Sequence, residues 1–401
     1  MAIDQKSYDA DIIVVGAGPC GTFLANLLGQ IGLSCLLLEK RFDLPGYSMA
    51  IGVMPPSLQR LEHVNLAAPI LEAGCRVTRA SLLTEKSLLG TLDLSGLPPP
   101  YNYVLSIPQS TLVGILRNKL CAWPQVRLLL GQETQSVTQT HNGVLIETRD
   151  TKTQSTMTLS ARFAVACDGN RSPMRTHVGI PTRGKAYAPS FMMGDFPEST
   201  PWTGEARLFF TPTGSIESFP LPQGRRRWVI QAKPTLANAT AIVQRVEEIT
   251  GIALDAGQAE WVTSFTPERR LCRDYFKGRV VLCGDAAHVM SPIGGQGMNT
   301  GLADAWHLAR VLEHLCASGE PPEHLLTRYD HCRRRAFRVA ANRAARGMWL
   351  GTLKGRRTTL LRNAFVRNVL FGTSLHQKLA PYFAMLTIPD TSPLSSSNSK
   401  S

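Results

Sequence analysis

The sequence predicts an α/β protein: a parallel sheet flanked by helices, interrupted by a mostly antiparallel sheet and closed by C-terminal helices. Three observations predict it. A short β-branched run near the N-terminus opens onto a glycine-rich turn, and two later apolar runs end in Asp-Gly or Gly-Asp. The segments between these runs alternate apolar with polar residues, the two-residue period of a half-buried strand.

The first element reads "DADIIVVGAGPCGTFLANLLGQIGLSCLLLEKR", Asp9 to Arg41. Ile12–Val15 is a buried strand, and Gly16, Gly18 and Gly21 complete G-x-G-x-x-G. Phe23, Leu24, Leu27, Leu28 and Ile31 follow at helical spacing, then Cys35–Leu38 forms a second strand closed by Glu39. The pattern has a physical cause: Gly16 permits a tight turn, Gly18 lets backbone approach a pyrophosphate, and Gly21 lets helix and strand pack closely. The helix N-terminus faces the phosphates, and the acid after the second strand suits ribose hydroxyls. This is a dinucleotide site, and the turn alone leaves NAD and FAD both open.

The second apolar run, Phe163–Ala166, ends in Asp168-Gly169 within "RFAVACDGNRSPMR". The third, Val280–Cys283, ends in Gly284-Asp285 within "GRVVLCGDAAH". Each sets one carboxylate at the carboxyl end of a strand, where open α/β sheets bind ligands. Taken singly, either Asp serves as well as a turn residue or helix cap.

The order GAGPCG, CDGNRS, GDAAHVMSPIGGQGMNTG resembles the FAD-dependent monooxygenases of the aromatic-hydroxylase type, from about residue 9 to 310. "IPQSTLVGILRNKL" resembles that family's flavin-contacting helix, entered by Gln109. The resemblance implies a Rossmann-like FAD-binding domain built from residues 1–74, 106–181 and 276–322. An inserted, mostly antiparallel substrate sheet would come from 75–105 and 182–275, followed by a basic helical region over 323–389 and a disordered tail over 390–401. It implies noncovalent FAD, NADH or NADPH as co-substrate, and transfer of one oxygen atom from dioxygen to an aromatic, polyketide-like or lipophilic small molecule through a flavin C4a-hydroperoxide. Asp285 would bond the ribityl chain and Asp168 would sit near the pyrophosphate, with Glu39 and Lys40 also on the cofactor. Pro292, Gly294 and Gly295 would line the place where oxygen reacts, and Gly297, Met298 and Asn299 would begin a helix aimed at the reduced flavin. Two departures stand out: Met49 occupies a position where many relatives carry Arg, and no general base is evident, His288 being as suited to a structural role as to a proton relay. Phe191, Met193, Phe209, Phe219 and Trp228 are expected either in the sheet core or in the pocket. A reductase or dehydrogenase acting on a lipid-like alkene, or a flavin-fold binding protein, are the alternatives.

Composition bounds the rest. At 401 residues, 43% hydrophobic and 18% charged, the chain has room for two domains and the balance of a globular protein. Nine cysteines without C-x-x-C spacing, and no secretory leader pattern, point to reduced thiols, no metal and a cytoplasmic setting. The net charge of +13 is concentrated: His331 to Pro389 holds twelve cations and no acid. Without a reading motif this charge predicts no nucleic-acid binding. Within it, Thr358–Gly372 is amphipathic, with Leu360, Leu361, Ala364, Phe365, Val369 and Leu370 on one face and Arg362 and Arg367 opposite. Two readings stand for that helix: packing by its apolar face with the basic side in solvent, or contact with an anionic membrane surface.

Overall fold

A computed structural model describes residues 8–44, 49–232 and 237–394. Its first layer is an eight-stranded sheet whose centre runs Val280–Leu282, Thr156–Ala166, Ala10–Val15, Cys35–Glu39 and Val126–Leu130, all parallel. Ile12, Ile13 and Val14 are fully buried, as a central parallel strand covered on both faces requires. The helix Pro19–Gln30 and the helix Gln296–Ser318 are adjacent, and both contribute buried residues to the core around these strands. Thr156–Ala166 changes partners along its length: Thr156–Ala161 pairs antiparallel with Val144–Arg149, while its C-terminal half joins the parallel core.

The second layer is a seven-stranded sheet, ordered Trp261–Phe265, Ser190–Pro197, Arg225–Ala232, Gly214–Leu221, Glu205–Thr211, Arg79–Leu83, Leu88–Asp93. It is antiparallel except where Glu205–Phe209 meets Arg79–Leu83. Its outer face carries Met192, Phe209, Ile216, Trp228 and Ile230 under the helix Ala239–Thr250. That helix is capped by Asn238, whose side chain accepts the Thr240 N–H, and ends on Gly251 at φ 70°. Two three-stranded sheets that draw strands from the expected substrate segments stand outside this sheet. Cys75–Val77 and Gly52–Val53 flank Val104–Ser106, and Thr182–Ala186 pairs with Glu268–Cys272, which continues to His288–Val289.

Of the C-terminal helices, Glu323–Thr352 packs on Gln296–Ser318, Arg356–Phe365 on the strand Glu205–Thr211, and His376–Phe383 on the edge strand Leu88–Asp93. Arg356–Phe365 is turned opposite to ordinary amphipathic packing. Thr359 and Arg362 face inward at 2% and 3% exposure, while Leu360 and Leu361 face outward at 64% and 75%. Arg362 lies over the Phe210 ring at 4.9 Å and donates Nη1 to the Leu353 carbonyl. Asp390, placed by the sequence in the tail, is bonded by Arg60 at 2.6 Å and by His307 at 2.7 Å; the rest of that tail beyond Leu394 lies outside the described residues. Among the described residues no helix is long and apolar enough to cross a membrane.

Candidate cofactor and substrate site

The carboxyl ends of four parallel strands are laced together by backbone hydrogen bonds: Gly16 N–H to Leu38 O, Cys167 N–H to Val15 O, and Cys283 N–H to Ala166 O, at 2.7–2.9 Å. This edge gathers the three sequence motifs. At Gly16 the backbone has φ 101°, and a Cβ would stand 2.4 Å from the Cys167 carbonyl oxygen. A Cβ on Gly21 would meet the Gly16 carbonyl at 1.9 Å, so helix and turn touch through bare backbone. At Gly18, by contrast, a Cβ would meet nothing within 4 Å. The space beside this backbone is open, as a pyrophosphate needs. The third motif docks the same way: a Cβ on Gly301 would come 2.4 Å from Cys20 Sγ, and one on Gly284 would come 2.8 Å from it.

A cleft of about 250 Å³ opens there, lined by Ala17, Gly18, Glu39, Arg41, Gln109 and Arg117 among others. Glu39 Oε2 accepts the Ala17 N–H and Oε1 the Arg41 N–H, which fixes the carboxylate at the rim. Gln109 begins the helix Gln109–Lys119, and its backbone N–H is held by the Ala50 carbonyl. Arg117 was not among the expected residues. Two helical turns beyond Gln109, it shares that residue's face, so the i, i+4, i+8 spacing through Val113 was its signal. Its Nη2 bonds the Ala17 carbonyl, while its buried Nε has no partner among the described residues. Burial lowers the pKa of its guanidinium, with Glu39 opposing. Lys40 departs from expectation: it is exposed and does not line the cleft, and its carbonyl accepts from Thr151. Neighbouring residues at a strand end point to opposite sides, so Glu39 and Arg41 reach the cleft and Lys40 does not.

Asp168 Oδ2 accepts the Met174 N–H at 3.0 Å, whereas its buried Oδ1 has no partner among the described residues. Burial pushes this carboxyl up, with bonds from Ser172 and Met174 opposing. Arg175, also missed by sequence reasoning, is buried and ties this turn to the next motif, donating to the Asn170 and Ala286 carbonyls at 2.9 Å. Asp285 presents an exposed carboxylate that meets no partner among the described residues. Desolvation by the surrounding protein pushes the carboxyl up, with His288 pulling down and Asp304 adding to the rise.

Gly295, at φ 64°, caps the helix Gln296–Ser318, which begins two residues before Met298. Pro292 and Gly294 are exposed on the loop before it, and Gly297 lies in the helix's first turn with space beside it, the nearest atom to a Cβ being Met290 Cγ at 3.9 Å. Met298 packs on the main core. Asn299 is committed to the protein: Oδ1 accepts the Met54 N–H, and Nδ2 donates to the Gly52 and Gly295 carbonyls. Its side chain therefore clamps the loop to the helix. His288 is buried and bonded to Asp304, stacked on Phe337 at 4.6 Å, which is the structural one of its two expected roles.

The five expected aromatic and Met positions divide between the faces of the seven-stranded sheet. Phe209 and Trp228 are outer core. Phe191, Met193 and Phe219 lie on the inner face with Val229, packed against Ile293 of the loop that carries Pro292 and Gly294. Met49, the departure noted in the sequence, offers its carbonyl to Arg227 Nη1 at 2.9 Å, and Arg227 is in turn paired with Asp195 at 2.6 Å.

A parallel sheet with a glycine cradle, a rim acid and three motifs at one edge defines a dinucleotide-binding protein of the flavin type. Residues 9–344 match the family described as FAD binding domain, and the chain belongs to it. It is 30% identical over 333 residues to the 3-(3-hydroxy-phenyl)propionate/3-hydroxycinnamic acid hydroxylase of Klebsiella pneumoniae (strain 342), covering 82% of this chain and 60% of that one. The chain thus spans about three fifths of that relative's length. Among solved structures it resembles p-nitrophenol 4-monooxygenase from Pseudomonas putida DLL-E4, with a TM-score of 0.85, 21% identity, and coverage of 94% and 98%. It also resembles CabE, an aromatic hydroxylase from angucycline biosynthesis, with a TM-score of 0.74, 26% identity, and coverage of 95% and 76%.

The residues fit FAD. The cradle at Gly18 is open, Arg117 Nε and Asp168 Oδ1 are buried polar atoms awaiting partners, and the Asp285 carboxylate is free.

Proposed function

We propose that this protein is an NAD(P)H-dependent flavin monooxygenase that adds one oxygen atom from dioxygen to an aromatic small molecule. The observation that carries the reading is the inner sheet face, where Phe191, Met193, Val229 and Phe219 close over Ile293 of the Pro292–Gly295 loop. With a flavin ring bound against that loop, the apolar roof would shield it from water. Bound FAD supplies the redox and oxygen-activating chemistry. Glu39 and Arg117 would hold its adenosine end, Gly18 its pyrophosphate and Asp285 its ribityl chain. The first-turn N–H groups of Gln296–Ser318 would favour negative charge on the ring's polar edge, because the positive end of a 23-residue helix points there. The hydroxylases named above support the reaction class.

The test is NAD(P)H consumption by the FAD-loaded protein with and without dioxygen and a candidate aromatic compound, with ¹⁸O₂ incorporation read by mass spectrometry. Consumption that needs both, with one labelled atom in the product, is expected. Oxidation proceeding equally without oxygen favours the dehydrogenase alternative.

A second reading concerns place. The outward face of Leu360, Leu361 and Phe365 is flanked by exposed Lys354, Arg356, Arg357 and Arg367, the arrangement of an interfacial helix on an anionic bilayer. Each cation near such a surface contributes about 1 kcal/mol, screened by salt. Co-sedimentation with phosphatidylserine vesicles should fall for Leu361→Asp at unchanged melting temperature. Equal sedimentation of both proteins, or of neither, removes this reading.

A further inference from the structure

Beyond the helix His376–Phe383 the chain crosses the molecule as a strap, held where Arg343 donates to the Tyr382 and Thr387 carbonyls. The strap ends on three basic side chains. Asp390 Oδ2 accepts from Arg60 Nη2 at 2.6 Å and Oδ1 from His307 Nε2 at 2.7 Å. Arg333 Nη1 stands 3.9 Å from Oδ1, beyond hydrogen-bond reach. The three come from three different helices, Pro55–Glu62, Gln296–Ser318 and Glu323–Thr352. Arg60, His307 and Arg333 are 11%, 4% and 2% exposed in their side chains, whereas the carboxylate they meet is 50% exposed. The basic groups are built into the protein, and the anion is brought to them from its surface.

Charge sets what such a cluster takes. Arg333 is already paired with Asp304 at 2.7 Å. Burial lowers the His307 pKa, with the Asp390 bond opposing, and the hydrogen bonds agree with a neutral ring: Nε2–H donates to Asp390, and the buried Nδ1 has no partner among the described residues. Asp390 therefore balances one positive charge, that of Arg60. One monoanion suits the cluster, and a dianion would bring an unbalanced charge.

A cavity of about 180 Å³ adjoins it, with Arg60, Arg333 and Asp390 on its polar side and Met54, Ala303, Leu386 and Ile388 among its apolar walls. It shares no lining residue with the cleft beside Gly18. Ser57, 1% exposed, also lines it, and its hydroxyl has no hydrogen-bond partner among the described residues. An aspartate has one methylene and cannot cover the apolar walls. A carboxylate with an alkyl body can meet the same donors and cover those walls as well.

We propose that Arg60, His307 and Arg333 form a binding site for small monocarboxylates with an apolar body, that Asp390 fills it as a tethered ligand, and that such a carboxylate from solution displaces Asp390 and frees the strap. The site is independent of the oxygen chemistry proposed above, and no covalent bond changes in the exchange. The tether lets Asp390 compete at an effective concentration on the order of millimolar, so the exchange needs the added apolar contact.

The test uses the full-length FAD-loaded protein with sodium acetate, sodium hexanoate and hexylammonium chloride, against sodium chloride of equal ionic strength. By calorimetry Asp390→Ala and Asp390→Asn should bind hexanoate roughly 10-fold or more tightly than the wild type, since the tethered competitor is gone. Hexanoate should bind more tightly than acetate, by up to about fourfold for each methylene buried. Hexylammonium, with the same body and the opposite charge, should not bind. Arg60→Met placed in Asp390→Asn should abolish hexanoate binding while the protein stays folded and yellow. In the wild type, hexanoate should speed chymotryptic cleavage at Tyr382 and Leu386, and sodium chloride should not. Equal hexanoate affinity in the wild type and a folded Asp390 variant overturns the proposal, as does binding that survives Arg60→Met or is matched by hexylammonium. Strap cleavage indifferent to hexanoate overturns the displacement. Because every readout is binding or cleavage, a failure here leaves the monooxygenase reading to its own oxygen test.

Discussion

The Asp304 carboxylate meets the Arg333 guanidinium at 2.7 Å with both side chains buried, and the pair joins the helix Gln296–Ser318 to Glu323–Thr352. Burial pushes the Asp304 carboxyl up, but His288 and Arg333 more than offset it, leaving the pKa below the ordinary value of 3.8. A depressed folded pKa gives stability that is present above the unfolded value and lost as pH falls through the folded one. Asp304→Ala should cost about 3–5 kcal/mol in urea unfolding at pH 7, because a buried guanidinium loses its partner. That cost should shrink below pH 4. An Asp304→Leu, Arg333→Met double variant should recover most of it, and a double variant no more stable than Asp304→Ala would speak against the pair.

Gly18 and Gly21 lie three residues apart and should fail differently. Gly21→Ala forces a Cβ against the Gly16 carbonyl and should destabilise the fold by about 1–3 kcal/mol or more. Gly18→Val meets open space, so the apoprotein should melt near the wild-type temperature while FAD absorbance is lost on gel filtration. Flavin retained by a folded Gly18→Val protein would refute the assignment of the cradle.

Asp285→Ala and Arg117→Ala should each weaken FAD binding by roughly 10- to 100-fold, the effect of removing one hydrogen bond to a charged group, about 1.5–3 kcal/mol. Flavin fluorescence titration reads this directly. Unchanged affinity in Asp285→Ala would move the ribityl contact elsewhere.

Glu217 gives a pH dependence of opposite sign to Asp304. Its folded pKa of about 7 lies above the ordinary 4.5 because burial disfavours the anion. Stability tied to it is complete below about pH 4.5 and is lost as pH rises through 7. Glu217→Gln should therefore be more stable than wild type above pH 7, by about 3 kcal/mol at most. A variant less stable than wild type at pH 8 would show that the anion has a partner.

The nucleotide edge was legible in the sequence because its causes are local. Gly16, Gly21 and Glu39 are set by one turn, one helix start and one strand end within a single βαβ unit. Asp304 and Arg333 were not legible, since nothing in a helix sequence says which distant helix will share its buried face. Of the two readings of Thr358–Gly372, packing by the apolar face failed for a related reason: periodicity locates the apolar side of a helix, but here the side that packs inward is the polar one, with Arg362 on an aromatic ring. Glu217 was hidden inside "SIESFPL", where alternation gives the face of the residue but not whether a cation waits opposite.

The parallel edge between Ala164–Ala166 and Val280–Leu282 also has a consequence for synthesis. The strand that completes the nucleotide sheet leaves the ribosome only after the whole stretch from Ser190 to Phe265 has been made. That stretch supplies five neighbouring strands of the seven-stranded sheet, and three of them, Glu205–Thr211, Gly214–Leu221 and Arg225–Ala232, are joined as consecutive hairpins whose contacts form fast. The roof is therefore expected to be assembled while the floor still lacks a strand, so a nascent chain stalled near residue 275 should hold a protease-resistant sheet and no flavin.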